Sequence, residues 1–183
     1  MVGKRKVSIF SVLVFIVGLS GLGLGAYSLY NYNQHVNQVE VPKPLARAFV
    51  STSISIPSSI LTVVNFDVVD YDVTGDFNII TDRFICPTSG YYYISGKVKF
   101  TIMLDAEAIY VGLYREGVIV AENSADASHT LSLSTSFTDI VYLNAGDYVE
   151  VKVYHTGSSA RSIYGDTEGT YTYLTIAATD ILN

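Results

Sequence analysis

The sequence predicts an all-β sandwich, and three observations carry that prediction. Aromatics make up 13% of the 183 residues and charged residues only 15%, with many Thr, Ser, Val and Ile. That balance suits strands better than surface helices. From Arg47 onward, short apolar or alternating runs are cut by turn residues, and no stretch shows a helical period. Tyr148, Glu150, Lys152 and Tyr154 alternate with Val149, Val151 and Val153, which gives a strand one polar and one apolar face.

Taken in order, the candidate strands are residues 47–56, stopping at Pro57, then 61–67, 90–102, 109–116, 118–122, 130–143, 148–155 and 170–177. Turn chemistry separates them: Pro87-Thr88-Ser89-Gly90, Glu116-Gly117, Asn144-Ala145-Gly146-Asp147 and Thr156-Gly157-Ser158-Ser159. Eight to ten short strands without helices read as a sandwich or a jelly roll.

Ahead of the strands, Val7 to Tyr30 is a 24-residue stretch without charge or proline. As a helix it spans about 36 Å, enough to cross a hydrocarbon core of about 30 Å with some tilt. Lys4, Arg5 and Lys6 precede it directly. The cytoplasmic bias of basic residues then predicts a cytoplasmic tail over residues 1–6, a single membrane helix over 7–30 and an extracellular C-terminal domain. Tyr27, Tyr30 and Tyr32 fall where interfacial aromatics gather. The alternatives are a signal peptide cleaved near Gly23, Gly25 and Ala26, which makes the product secreted, and the assembly helix of a filament subunit. Residues 31–45 read as a stalk. Leu29, Tyr32, Val36 and Val39 keep a 3-4-3 spacing that carries a helix to about residue 41, before Pro42 stops it.

The formal net charge is −6. Lys4, Arg5 and Lys6 are three of the 11 basic residues; the other 8 face 17 acidic ones, or −9. An acidic outer domain argues against nucleic acid as partner, because phosphate binding needs a basic patch. The single cysteine, Cys86, excludes an intrachain disulfide.

One segment carries a more specific signal. Phe66 is followed by Asp72 six residues on, Phe77 five later, Phe84 seven later, Gly90 six later and Tyr92 two later. This spacing resembles the signature of the globular head of complement component 1q, a branch of the tumour-necrosis-factor-like jelly rolls. Phe84-Ile85-Cys86-Pro87 and Leu143-Asn144-Ala145-Gly146-Asp147-Tyr148-Val149 are similar to further family stretches. The match departs at Ile94 and Gly96, where aromatics are expected, and at Asp82, where a turn glycine is expected. The resemblance covers roughly Ala46 to Ile181 and implies a ten-stranded jelly roll over 46–183 that assembles as a homotrimer. With the anchor, it implies the type II layout of membrane-bound tumour-necrosis-factor-like ligands. Phe66, Phe77, Phe84 and Tyr92 read as core aromatics, and Gly90 as the holder of a turn conformation. Tyr91 and Tyr93 must point away from the core, and with Tyr173 they are the expected trimer contacts.

Chemistry is sparse. Asp67, Asp70, Asp72 and Asp76 form the one acidic run. Asp70-Tyr71-Asp72-Val73-Thr74 imitates a phosphotransferase nucleophile loop, but no helical segments exist to build that fold. The same residues read as a partial EF-hand without its closing Glu, since Thr81 holds that position. A loose Ca²⁺ site on these carboxylates is one reading, as some relatives bind Ca²⁺ near the trimer apex; a solvated acidic loop is the other. His35, His129 and His155 lack metal-ligand spacing, no serine sits in a nucleophile motif, and Cys86 reads as a buried inert thiol. The expectation is therefore no enzyme and no cofactor. It is a membrane-anchored trimeric module that binds a protein or glycan through distal loops, or else a structural coat, sheath or filament subunit.

Overall fold

A computed structural model describes residues 43–179. The expected tail (1–6), membrane helix (7–30) and all but the last three residues of the stalk (31–45) lie outside the described residues. Within them there are thirteen strands and no helix, so none offers a helix long and apolar enough to cross a membrane.

The strands form two packed antiparallel sheets. The path of sheet I runs β2 (Ile54–Ile56), β12 (Arg161–Ile163), β7 (Gly90–Met103), β13 (Tyr173–Ala178), β1 (Leu45–Phe49) and β4 (Val68–Asp72), with β10 (Leu131–Leu143) also paired to β7. Sheet II runs β5 (Phe77–Asn78), β6 (Arg83–Ile85), β11 (Tyr148–His155), β8 (Ala108–Arg115) and β9 (Val118–Asp126), with β3 (Thr62–Val63) also paired to β11.

The ten expected strands become thirteen because several are short marginal pieces. Residues 47–56 break into β1 and β2 where the Asp67 carboxylate accepts from the Ser51 backbone N–H at 2.6 Å and from its hydroxyl. Strand β4 lies within the acidic run, whose aspartates have low strand propensity. It survives as an edge strand, where charge is tolerated. Its register against β1 skips Asp70, which bulges out and meets Arg47.

The core fills the space between the sheets. Tyr92, Ile94, Val98 and Phe100 of β7 face Ile109, Val111 and Leu113 of β8 and Val149, Val151 and Val153 of β11, all buried. Phe84 meets Tyr92 with ring centres 5.8 Å apart, and Phe66 meets Phe77 edge-on at 6.1 Å. The departures from the aromatic signature have physical counterparts. A Cβ on Gly96 would lie 2.5 Å from Phe137, which stands opposite it on β10. The ring has moved to the neighbouring strand. Asp82 adopts φ 56° and its carboxylate accepts from the Phe66 N–H at 2.8 Å and from Asn65 at 3.0 Å. Gly90 differs from the sequence reading: it does not adopt a left-handed conformation, and a Cβ there would meet nothing within 4 Å. It opens β7 opposite Leu143 and needs no special backbone freedom.

The sandwich has two ends. Leu45, where the chain enters, pairs with the end of β13, which lies beside the start of β7 and the end of β10. The opposite, distal end gathers the Leu104–Glu107, Ala127–Thr130, Pro57–Leu61 and Thr156–Ala160 loops. The Ala106 N–H donates to the Ala127 carbonyl and the Ala127 N–H to the Glu107 carbonyl, Ser58 donates to the Gly157 carbonyl, and Arg161 pairs with Glu107.

Candidate recognition surfaces

Strand alternation leaves each sheet one face for solvent. On sheet I, Tyr91, Tyr93, Ser95 and Lys97 of β7 point outward. Cross-strand register puts Leu45, Ala177, Tyr93 and Ile140 in one row, with Tyr91 beside Tyr142 next to it. Tyr91 and Tyr142 pack edge-on with ring centres 5.2 Å apart. Tyr93 remains 40% and Ile140 49% exposed. Further along come Arg47, Thr175, Ser95 and Thr138, a polar row. Tyr173 lies beyond it, against Arg47 at 5.2 Å. Tyr91, Tyr93 and Tyr173 thus share a face, but Tyr173 stands about 13 Å from Tyr93 along the strands. Leu45, Ile140 and Tyr142 complete the apolar end. Sequence reasoning missed them, although period two in β10 already puts Ile140 and Tyr142 on one face.

The acidic run is dispersed. Asp67 holds Ser51, Asp70 pairs with Arg47 at 2.7 Å, and Asp76 accepts from the Thr74 hydroxyl. Asp72 accepts the backbone N–H groups of Gly75 at 2.9 Å and Phe77 at 2.8 Å. Each carboxylate answers a local donor, so Asp67, Asp70, Asp72 and Asp76 do not converge as a Ca²⁺ site needs. Among the described residues no three His, Cys, Asp or Glu are placed to hold a metal ion.

The other titratable groups serve the scaffold. His155 is fully buried; its Nδ1 accepts from the Gly157 N–H at 3.1 Å, which leaves Nε2–H to donate to the Ile56 carbonyl. Burial pushes the Cys86 thiol up, and it donates to the Thr88 carbonyl at 3.1 Å, a carbonyl it shares with the Tyr92 hydroxyl.

On sheet II, the outward side chains of β11 line up as Tyr148, Glu150, Lys152 and Tyr154. Glu150 is 2% exposed and accepts from Arg83 and Lys152, each at 2.9 Å. Burial alone would push its carboxyl up, but the two cations outweigh that and hold it below the ordinary value. Beside this row, Tyr110, Gly112 and Tyr114 of β8 and Glu122 of β9 complete a groove of about 510 Å³, which reaches Leu61 and Thr156 at the distal end. Sequence alternation exposes Lys152 and Tyr154; their neighbours on β8 follow only from long-range register.

Comparison with known proteins agrees with this architecture. Residues 48–175 match the model of the C1q domain. The heavy metal-binding protein HIP of Mytilus edulis is 30% identical over 112 residues, which are 60% of this chain and 50% of that protein. The chain thus spans about half the length of this curated relative. The globular domain of zebrafish complement 1qA superposes with a TM-score of 0.57 at 17% identity, over 75% of this chain and 97% of that one. Eiger TNF from S. frugiperda gives 0.57 at 13%, over 78% and 96%. Murine APRIL gives 0.58 at 15%, over 75% and 100%. The three structures share the fold, and the family match spans more than half of the sequence: the chain belongs to the C1q-domain family.

Proposed function

We propose that the chain is a homotrimeric extracellular recognition module. Residues 7–30 anchor it in a membrane, or are cleaved to release it, and its distal loops contact a protein or glycan. The observation that supports this reading is the exposed apolar end of sheet I, formed by Leu45, Tyr91, Tyr93, Ile140 and Tyr142. The opposite face of that sheet is already the core, and no other described residue covers the patch, so a second copy of the chain suits it. The trimer that the family resemblance implies supplies two further copies to do so. The heavy-metal binding in the mussel protein's name is said of that protein and is not carried over to this chain.

Sedimentation equilibrium of the full chain in mild detergent tests the assembly. The expected mass is three times the 20.0 kDa of one chain. A monomer overturns the reading, and an open-ended polymer replaces it with the coat, sheath or filament subunit. Retention in the membrane pellet after alkaline extraction tests the anchor; recovery in the medium indicates the secreted form.

A further inference from the structure

The groove on sheet II has a defined floor and walls. Gly112 is the floor: a Cβ there would stand 3.0 Å from the Tyr114 ring and 3.3 Å from Ile119. Along β8, Tyr110 and Tyr114 flank it with Cα atoms about 13 Å apart. Across the sheet, register puts Lys152 on one side of Gly112 and Glu122 on the other, about 10 Å apart. Tyr154 meets Tyr110 at 5.8 Å with the rings inclined by 60°. The volume, about 510 Å³, falls in the range of small-molecule sites.

Charge decides what fits. Lys152 already lies 4.8 Å from the Tyr114 ring centre, so the cation-binding face of that ring is taken. An anion would meet Glu122 and find Lys152 committed to Glu150 at 2.9 Å. The Glu122 carboxylate itself makes no hydrogen bond or ion pair with another described residue. What remains is a neutral group with an apolar face for the tyrosine rings and hydroxyls for the Glu122 carboxylate, the Thr156 hydroxyl and the tyrosine hydroxyls.

We propose that this groove binds a neutral pyranose ring of a glycan. The inference deepens the recognition reading above and rests on it, because the groove opens at the distal loops through Leu61 and Thr156. It lies within one protomer, so it does not require the trimer.

The test is an array of immobilised neutral, sialylated and sulfated oligosaccharides and proline-rich peptides, probed with the full chain in mild detergent. Neutral glycans are expected to be retained. Glu122→Ala should weaken that retention about tenfold through loss of a charged acceptor, and Tyr154→Ala should weaken it similarly. Val118→Ala, at an exposed position outside both the groove lining and the apolar end of sheet I, should leave it unchanged. Glu122 is exposed, so its variant folds as the parent does. Retention of only sialylated, sulfated or peptide probes overturns the proposal, as does no retention or indifference to both groove variants. A trimer that retains no neutral glycan removes the groove alone; a monomer that retains them removes the trimer alone.

Discussion

The outward tyrosines of the two sheets keep different company. On sheet I, Tyr91 leans on Tyr142, and Tyr93 stands between Ala177 and Ile140. On sheet II, Arg83 lies 3.8 Å from the centre of the Tyr148 ring and Lys152 4.8 Å from that of Tyr114, with Glu150 joining the two cations. Burying the first surface removes apolar area from water. Burying the second under another protein would desolvate charges that water now serves, which costs more than it returns unless new partners are supplied. On the proposed reading the two faces divide the work: one takes a copy of the chain, the other stays wet and open. The far end of sheet I is mixed. Arg47 sits 5.2 Å from Tyr173 and Lys99 4.2 Å from Tyr171, so Tyr173→Ala should weaken association less than Tyr93→Ala.

The largest effect should come from putting charge on the apolar end. The double variant Tyr93→Lys, Ile140→Lys places two ammonium groups where the trimer reading needs a dry contact. Sedimentation equilibrium should show one chain where the parent shows three. Val118→Lys, at an exposed position on sheet II, should leave the mass unchanged. Equal behaviour of the two variants would remove the distinction between the faces.

Next in size is the anchor of the charged face. Removing Glu150 leaves Arg83 and Lys152 without their shared carboxylate. Glu150→Ala should cost about 3 kcal/mol of unfolding free energy, measured from urea midpoints. The matching change on sheet I is Asp70→Ala. Asp70 is half exposed at its bulge, and its loss should cost less than about 1 kcal/mol. A cost for Asp70→Ala as large as that for Glu150→Ala would mean that the two ion pairs are equivalent.

Acid should separate these groups further. Glu107 is held below the ordinary glutamate value of 4.5, chiefly by the hydrogen bond from Arg161; Glu150 is held below it by Lys152 and Arg83 against burial. Such groups stabilise the fold fully above their ordinary value, and that contribution is lost as pH falls through the lowered one. Asp82 has the opposite sign. Burial raises it above 3.8 in spite of its hydrogen bonds from Asn65 and Phe66, so the native state takes up its proton first and gains stability as pH falls through that window. Melting temperature followed from about pH 7 to 3 should therefore decline less steeply in Glu150→Gln and more steeply in Asp82→Asn than in the parent. Parallel curves for all three would contradict both assignments.

What could be read from the sequence follows from how local each signal is. Strand β11 appears at its observed bounds because period two is complete within it, and β7 and β8 appear within a residue or so. Strand β4 does not, because Asp70 and Asp72 carry the composition of a loop and only the β1 edge makes them a strand. The role of Gly96 was hidden for a different reason. The ring that fills its place, Phe137, comes from a strand far along the chain, and only register reveals the pairing. The same holds for the groove: Lys152 and Tyr154 show in their own alternation, but Tyr110, Gly112 and Glu122 join them through two separate ladders.

The smallest effect concerns the acidic run, where a local and a shared role for the carboxylates give different outcomes. Asp72 binds the backbone N–H groups of Gly75 and Phe77, so it shapes the turn that delivers Phe77 to Phe66. Losing two such bonds at a part-exposed turn should cost about 1 to 2 kcal/mol in Asp72→Ala. If that is its whole role, the cost is the same with millimolar Ca²⁺ as with chelator, because no ion binds the native state preferentially. A Ca²⁺ site spread over Asp67, Asp70, Asp72 and Asp76 would instead stabilise the parent alone and widen the gap when Ca²⁺ is added. Urea midpoints of the two proteins in both buffers decide between the readings, and a gap that does not widen assigns the signature aspartate to the backbone turn.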